Sequence, residues 1–465
     1  MLPAQHPAAQ TSKPGTKSGA QKSSKSGQVT TGTSSGLDTD TRLLNMLADH
    51  QFIRLEGELD QLRPWQAQYY RGILANRNND LKKSIELLEP LVDQISASGN
   101  TMREKFLRKA LAEDYLREGD WAKAAEAYKT LESRLGDKLT PDEQYEIEMP
   151  VNMLPLAKDH PPMTADPCEP FVVSITKNDL GLTDVPVFVD SRPQDWMLDP
   201  TLPFNLISRS HARDAGLKIS EESVIIHALR GRPVKVHATV IPRFTIGGQL
   251  TLRNVTAFVY DDKDYYFAPT KYQVEGVLGY SAVAALGGFT VTDSNRLYVQ
   301  LDKPLSSLEK TERQTDSVRF FLDGDQVILA LGNTAGSGDS FFRAEAEGEV
   351  RMFAIDAGSQ QTYMTSRFYD EHIPDFASMK MELFKLRGLE DMAPVPSYEA
   401  ETLPLTVGKT TVQFHFMPVL TQPLGMAALD DVYGVLGVDA LDQLGSYTFD
   451  YLTMRFSIRL SEARD

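Results

Sequence analysis

The chain has 465 residues, of which 41% are apolar and 24% charged, and its formal net charge is −16. That length supports two or three domains and a sizeable core. The acidic balance argues against a general nucleic-acid binder, which needs a basic face. Apolar runs such as Ser281 to Phe289 are too short to span a bilayer.

Residues 1–41 are rich in Ser, Thr, Gly, Lys and Gln. They carry too little apolar surface to offset ordering entropy and read as a disordered low-complexity tail. Met1 to Gln10 lacks the basic-then-apolar start of a secretory signal, so export is not expected from the chain as written, and the compartment stays open. Cys168 is the only cysteine, which rules out an intrachain disulfide and suits a small packing residue.

From 42 to 148 the apolar period is helical. Trp121, Ala124, Ala125, Tyr128, Leu131 and Leu135 share one face, and Leu107, Ala110, Leu111 and Tyr115 share another. Gly119-Asp120 separates the two as a turn. Thr101 with Glu104, and Thr140 with Glu143, read as capping boxes, the second with Pro141 at the first helical position. Asp80-Leu81 with Ser84, Ile85, Leu88 and Leu91 matches Asp120-Trp121 with Ala124, Ala125, Tyr128 and Leu131, 40 residues on. Helix–turn–helix units of this kind resemble tetratricopeptide-like repeats. They offer either a groove for a protein partner or a helical cap on the next domain. Residues 149–170 hold six prolines, from Pro150 to Pro170, and read as an extended linker.

From 171 onward the period is mostly two, as in Val185-Pro-Val-Phe-Val and Val234-Lys-Val-His-Ala-Thr-Val. His227 and His237 fall on hairpin strands and read as surface residues. The region repeats itself. Trp196-Met-Leu-Asp199-Pro-Thr201 lies 157 residues before Phe353-Ala-Ile-Asp356-Ala-Gly358. At the same offset Leu206-Ile-Ser falls on Tyr363-Met-Thr, and Leu229-Arg230-Gly231 on Leu386-Arg387-Gly388. Thr245-Ile-Gly and Gly276-Val-Leu-Gly279 match Thr406-Val-Gly and Gly434-Val-Leu-Gly437 at offsets of 161 and 158. Ordered matches at nearly constant offset indicate a tandem duplication, which puts Asp199 and Asp356 at equivalent positions.

An Asp followed by small residues, a Gly in a central hairpin and a late apolar-Gly-x-Leu-Gly segment resemble the retropepsin-like aspartic proteases. The two-in-one-chain arrangement is similar to pepsin-type enzymes. The resemblance covers 171–303 and 317–460, with a linker at 304–316. It implies a multidomain fold, in which the N-terminal α-helical repeat precedes a mostly-β, double-lobed acid-protease fold. It also implies that Asp356 and Asp199 form a catalytic dyad that shares one proton and activates water to cleave peptide bonds, without metal or cofactor. The loops Ala357-Gly358-Ser359 and Pro200-Thr201 would shape the site. Hairpins at Arg230-Gly231 and Arg387-Gly388 would be flaps over an extended peptide or protein substrate in the inter-lobe cleft. Plain hairpin turns remain the alternative for both pairs.

The first half-site departs from the family's Asp-Thr-Gly. Pro200 lacks a backbone donor, Thr201 stands where Gly is expected, and Leu202 replaces a hydroxyl. Two readings follow: an aspartic endopeptidase, or a catalytically inactive module of the same fold that binds peptides. Lobes that pair with other chains suit the spacing less well. Gly336-Ser337-Gly338 lacks the flanking elements of a nucleophile elbow or phosphate loop.

Overall fold

Asp80, Asn100, Asp120 and Thr140 each start a helix by accepting a backbone N–H on the side chain. In the computed structural model the described residues are 34–228, 232–267, 271–302, 316–324, 326–332, 350–384, 394–408, 410–424 and 431–459. The helices are α1 (Ser34–Ala48), α2 (Phe52–Glu58), α3 (Pro64–Arg77), α4 (Leu81–Leu88), α5 (Val92–Ala97), α6 (Thr101–Glu118), α7 (Trp121–Leu135) and α8 (Pro141–Ala157). The chain divides into a short N-terminal unit, Met1–Leu43, and a large one, Leu44–Asp465, that holds most of the helices and all the described strands.

Three local expectations are corrected. Helix starts at Ser34, inside the segment read as tail. The cap of α6 is Asn100, whose side chain accepts from Arg103 N–H at 2.9 Å, so Thr101 is already helical. The capping box of α8 does form, with Thr140 and Glu143 exchanging bonds at 3.2 and 2.9 Å. That helix then continues through Pro150 and Pro155 to Ala157, where an extended linker was expected. Each interior proline costs on the order of 3 kcal/mol. Met153, Leu154 and Ala157 offset it by packing at 0% exposure. Further on, Thr164 and Ala165 pair with Arg253 and Leu252, so part of the remaining segment is a strand.

Among the described residues the strands form two large sheets. One, of nine strands, contains Thr183–Val189, Arg192–Leu198, Asn205–Ser208, Arg232–Ile246, Leu250–Tyr260 and Gly276–Leu278. The other, of thirteen, runs from Glu382–Phe384 to Phe171–Ser174. Toward its Phe171–Ser174 end, Gly288–Val291 pairs antiparallel with Ser446–Asp450, flanked by Arg296–Val299 on one side and Arg455–Arg459 on the other. Buried rings fill this junction: Phe289 and Phe449 stand 5.3 Å apart, and Phe449 and Phe456 5.0 Å. His237, expected at the surface, is buried with Nδ1 2.8 Å from Ser220 O. The side chain of His227 lies outside what is described, as do Gly336-Ser337-Gly338 and all of the 304–316 linker except Asp316, which begins a strand.

The helices dock on the β region through charge as well as apolar contact. Asp323 lies at a hairpin end and meets His50 at 3.0 Å, Arg77 at 2.8 Å and Lys109 at 3.3 Å. Arg77 also pairs with Glu113 at 2.8 Å, both nearly inaccessible. Arg319 holds Glu56 with two bonds, 2.6 and 2.8 Å, and the rings of Phe52 and Phe321 are 5.0 Å apart.

Candidate active site

Asp199 and Asp356 each follow a buried strand that pairs in parallel with a Gly-Val-Leu strand. Met197 and Leu198 face Val277 and Leu278, while Ala354 and Ile355 face Val435 and Leu436. The backbone then makes the same bond twice: Asp199 N–H donates to Leu278 O at 3.1 Å, and Asp356 N–H to Leu436 O at 3.0 Å. Each acid therefore leaves its strand with its backbone fixed.

The carboxylates are held alike. Thr201 N–H donates to Asp199 Oδ1 at 3.1 Å, and Gly358 N–H to Asp356 Oδ1 at 3.1 Å. Pro200 and Ala357 lie between donor and acceptor, so the missing N–H of Pro200 is not one this turn uses. Thr201 adds its hydroxyl, 2.5 Å from the same Oδ1. Ser359 turns away from Asp356, and its Oγ bonds with Gln361 N–H and O at 3.3 Å.

Gly358 lies between the two acids. A methyl group there would come 2.6 Å from Asp199 Oδ2 and 3.4 Å from Asp356 Oδ1. These distances limit the gap between the two oxygens to about 6 Å, within the range where like charges raise each other's pKa. Asp199 is 9% exposed, and Asp356 is half-buried. Burial, and then the charge of Asp199, push Asp356 up to about 7. Burial also raises Asp199, opposed by the Thr201 hydroxyl and the N–H groups of Thr201 and Leu202.

Two flanking side chains brace the site without having been singled out in the sequence. Gly279 N–H donates to Asn205 Oδ1 at 3.0 Å, and Gly437 N–H to Thr362 Oγ1 at 2.9 Å. Asn205 also bonds Ser281 at 2.8 Å, as Thr362 bonds Asp439 at 2.6 Å. The signal was available, because the 157-residue offset lays Asn205 on Thr362.

Residues 185–282 match the family model for aspartyl proteases. This match supports an aspartic-protease-like function at the level of the family, and it includes Asp199, Asn205 and Gly279 while ending before Asp356. No curated protein matches the chain. Arg230 and Gly231, within the matched segment, and Arg387 and Gly388, beyond it, lie outside the described residues. Paired strands lead up to them, the last pairs being Ala228 with Arg232 and Phe384 with Val395. Among the described residues no group of three or more His, Cys, Asp or Glu is placed to hold a metal ion, and no helix is long and apolar enough to cross a membrane.

Proposed function

We propose that the chain is an aspartic endopeptidase with two retropepsin-like lobes, 171–303 and 317–460, that arose by duplication and share one cleft. The observation that carries this reading is the matched pair of turns, Thr201 N–H on Asp199 and Gly358 N–H on Asp356, with Gly358 against both carboxylates. One catalytic Asp comes from each lobe.

The pair titrates as a unit and keeps one proton over the working range. Asp199, with two donors from Thr201, is the member that ionises first, and Asp356 keeps the proton. Asp199 takes a proton from water, whose oxygen bonds to the carbonyl carbon of the peptide. Asp356 gives its proton to the carbonyl oxygen, forming a neutral diol. Return of a proton from Asp199 to the amide nitrogen lets the C–N bond break while Asp356 takes back a proton from a diol hydroxyl, leaving a new carboxyl, a new amine and the pair with its one proton. The Arg230-Gly231 and Arg387-Gly388 turns serve as flaps. The tetratricopeptide-like region, 42–148, caps the catalytic lobes or offers a groove to a protein partner.

Mass spectrometry of peptide mixtures incubated with the full chain at acidic pH tests the proposal. New termini are expected with the wild type and none with Asp356→Asn. Cleavage that survives Asp356→Asn would overturn the assignment. The Pro200-Thr201-Leu202 loop favours one rival, a peptide-binding module of the same fold, and peptide binding by the wild type without any new termini would establish it.

A further inference from the structure

The loop after Asp199 has a support that the loop after Asp356 lacks. The carbonyls of Leu202 and Ser359 occupy matching positions, accepting from Tyr280 N–H at 2.7 Å and from Val438 N–H at 2.9 Å. The side chains on those donors differ. Val438 has no polar atom to offer. Tyr280 is buried, and its hydroxyl donates to Asn79 Oδ1 at 2.9 Å, across 201 residues of sequence. Asn79 follows α3 in the left-handed region, with φ 58°, and its N–H is held by Asn76 O at 3.0 Å.

The helices reach the same loop a second time. Glu113, Leu116 and Arg117 of α6 line a recess together with Pro200, Thr201 and Pro203. Arg117 is fixed there by bonds to Asn76 O at 2.8 Å and to Glu113 at 3.1 Å. The segment bearing Tyr280 has no slack against the loop, since a methyl at Gly279 would come 2.1 Å from Phe204 O and 2.8 Å from Leu202 O.

We infer that Asn79 and Tyr280 are positioning residues for Asp199, so that the helical region is a working part of the active site. The inference rests on the two-Asp reading above. The route runs from Asn79 to the Tyr280 hydroxyl, from Tyr280 N–H to Leu202 O, and through the Pro200–Leu202 turn to the two Thr201 donors on Asp199 Oδ1. A Pro-Thr-Leu turn carries larger side chains than the Ala-Gly-Ser turn of the second half-site, and it gains an outside brace to match. The titratable groups facing Asp199 are Asp356 across the gap and Tyr451 from the turn after Ser446–Asp450, while Arg117 stands beside Tyr280.

The test compares Tyr280→Phe, Asn79→Gly and the double variant with the wild-type full chain. Glycine suits the left-handed backbone at 79, and Phe keeps the buried ring. Two quantities are measured: kcat and KM on a cleaved peptide, and the titration of the Asp carboxyls by carbon-13 NMR. Each single variant is expected to lose about 10-fold in kcat at unchanged KM, consistent with a displacement well under 1 Å. The double variant is expected to lose no more than either single one. The lower titration step of the pair moves up as the Thr201 donors slip from Asp199. Wild-type kcat and titration in both single variants would overturn the inference while leaving the dyad standing. A lowered unfolding midpoint with an unchanged titration would also overturn it, assigning the contact to stability alone. If the wild type cleaves nothing, the endopeptidase reading fails, and the carboxyl titration by itself decides whether Tyr280 holds Asp199.

Discussion

Thr290 and Thr448 share a buried hydrogen bond, Oγ1 to Oγ1 at 2.7 Å, where Gly288–Val291 and Ser446–Asp450 lie side by side. The two residues are 158 positions apart, close to the spacing of Asp199 and Asp356, and they face each other in register. A residue paired with its own counterpart lies on an approximate twofold axis. The antiparallel pairing of these strands thus supports the proposed duplication independently of the acids. Thr448→Val leaves the Thr290 hydroxyl without its partner and is expected to cost about 1–3 kcal/mol. Replacing both by Val costs less than the sum of the single changes. A double-mutant cycle on denaturant midpoints checks this, and strict additivity would contradict it.

The proposed dyad sets a conflict between stability and chemistry. In the folded chain Asp356 binds its proton up to a pH of about 7, while an unfolded Asp releases it near 4. The folded state therefore holds an extra proton between those values. The stability this contributes is complete below about 4 and lost as pH rises through about 7. Asp356→Asn removes the titration. It is expected to leave the protein more stable than the wild type above neutrality, by on the order of 1–4 kcal/mol, while abolishing cleavage. Unfolding midpoints across acidic and mildly alkaline pH test the sign, and wild-type activity is expected to fall through the same upper limit.

The hairpin end at Asp323 predicts the opposite pH response. Arg77, Lys109 and His50 hold this buried carboxyl well below the usual range, against the upward push of its own burial. Its contribution to stability is present above the ordinary Asp pKa and is lost as pH falls toward the depressed value. Asp323→Asn leaves Arg77 and Lys109 short of a counter-charge between the helices and the β region. A loss of about 3–5 kcal/mol is expected at neutral pH. Limited proteolysis is expected to release the helical region more readily from this variant. Equal protease resistance in the two proteins would show that the charges are not what docks it.

Much of this arrangement was legible in the sequence because it repeats or because it is local. Asp199 and Asp356 emerged from the 157-residue offset, and Thr140 from capping chemistry that acts within one turn. The misread linker has its physical source in packing between distant segments. Pro150 and Pro155 signal a helix break locally, but α8 buries Met153, Leu154 and Ala157 and lies against the strands Val224–Ala228 and Arg232–Ile246. Thr201 looked like a loss by residue type, yet its N–H has the place of Gly358 N–H, and its hydroxyl is a gain. The bond from Tyr280 to Asn79 joins segments with no common period, and nothing near either residue announces it.

Gly358 gives the sharpest test of the site itself. Its φ is not in the left-handed region, so Ala is allowed by the backbone and the only obstacle is space. The added methyl would sit 2.6 Å from Asp199 Oδ2, closer than any ordinary carbon–oxygen contact, and 3.4 Å from Asp356 Oδ1. One carboxylate must move away, and Asp199 Oδ1 is pinned by Thr201. A displacement of about 1 Å at reacting atoms costs on the order of 100-fold in rate. Gly358→Ala is therefore expected to lose kcat by about that factor. Its unfolding midpoint should fall little, because the close clash is with one side chain, that of Asp199. Prolonged incubation of this variant with a peptide cut by the wild type measures the effect. Cleavage at the wild-type rate would mean that Asp199 and Asp356 do not act together across Gly358.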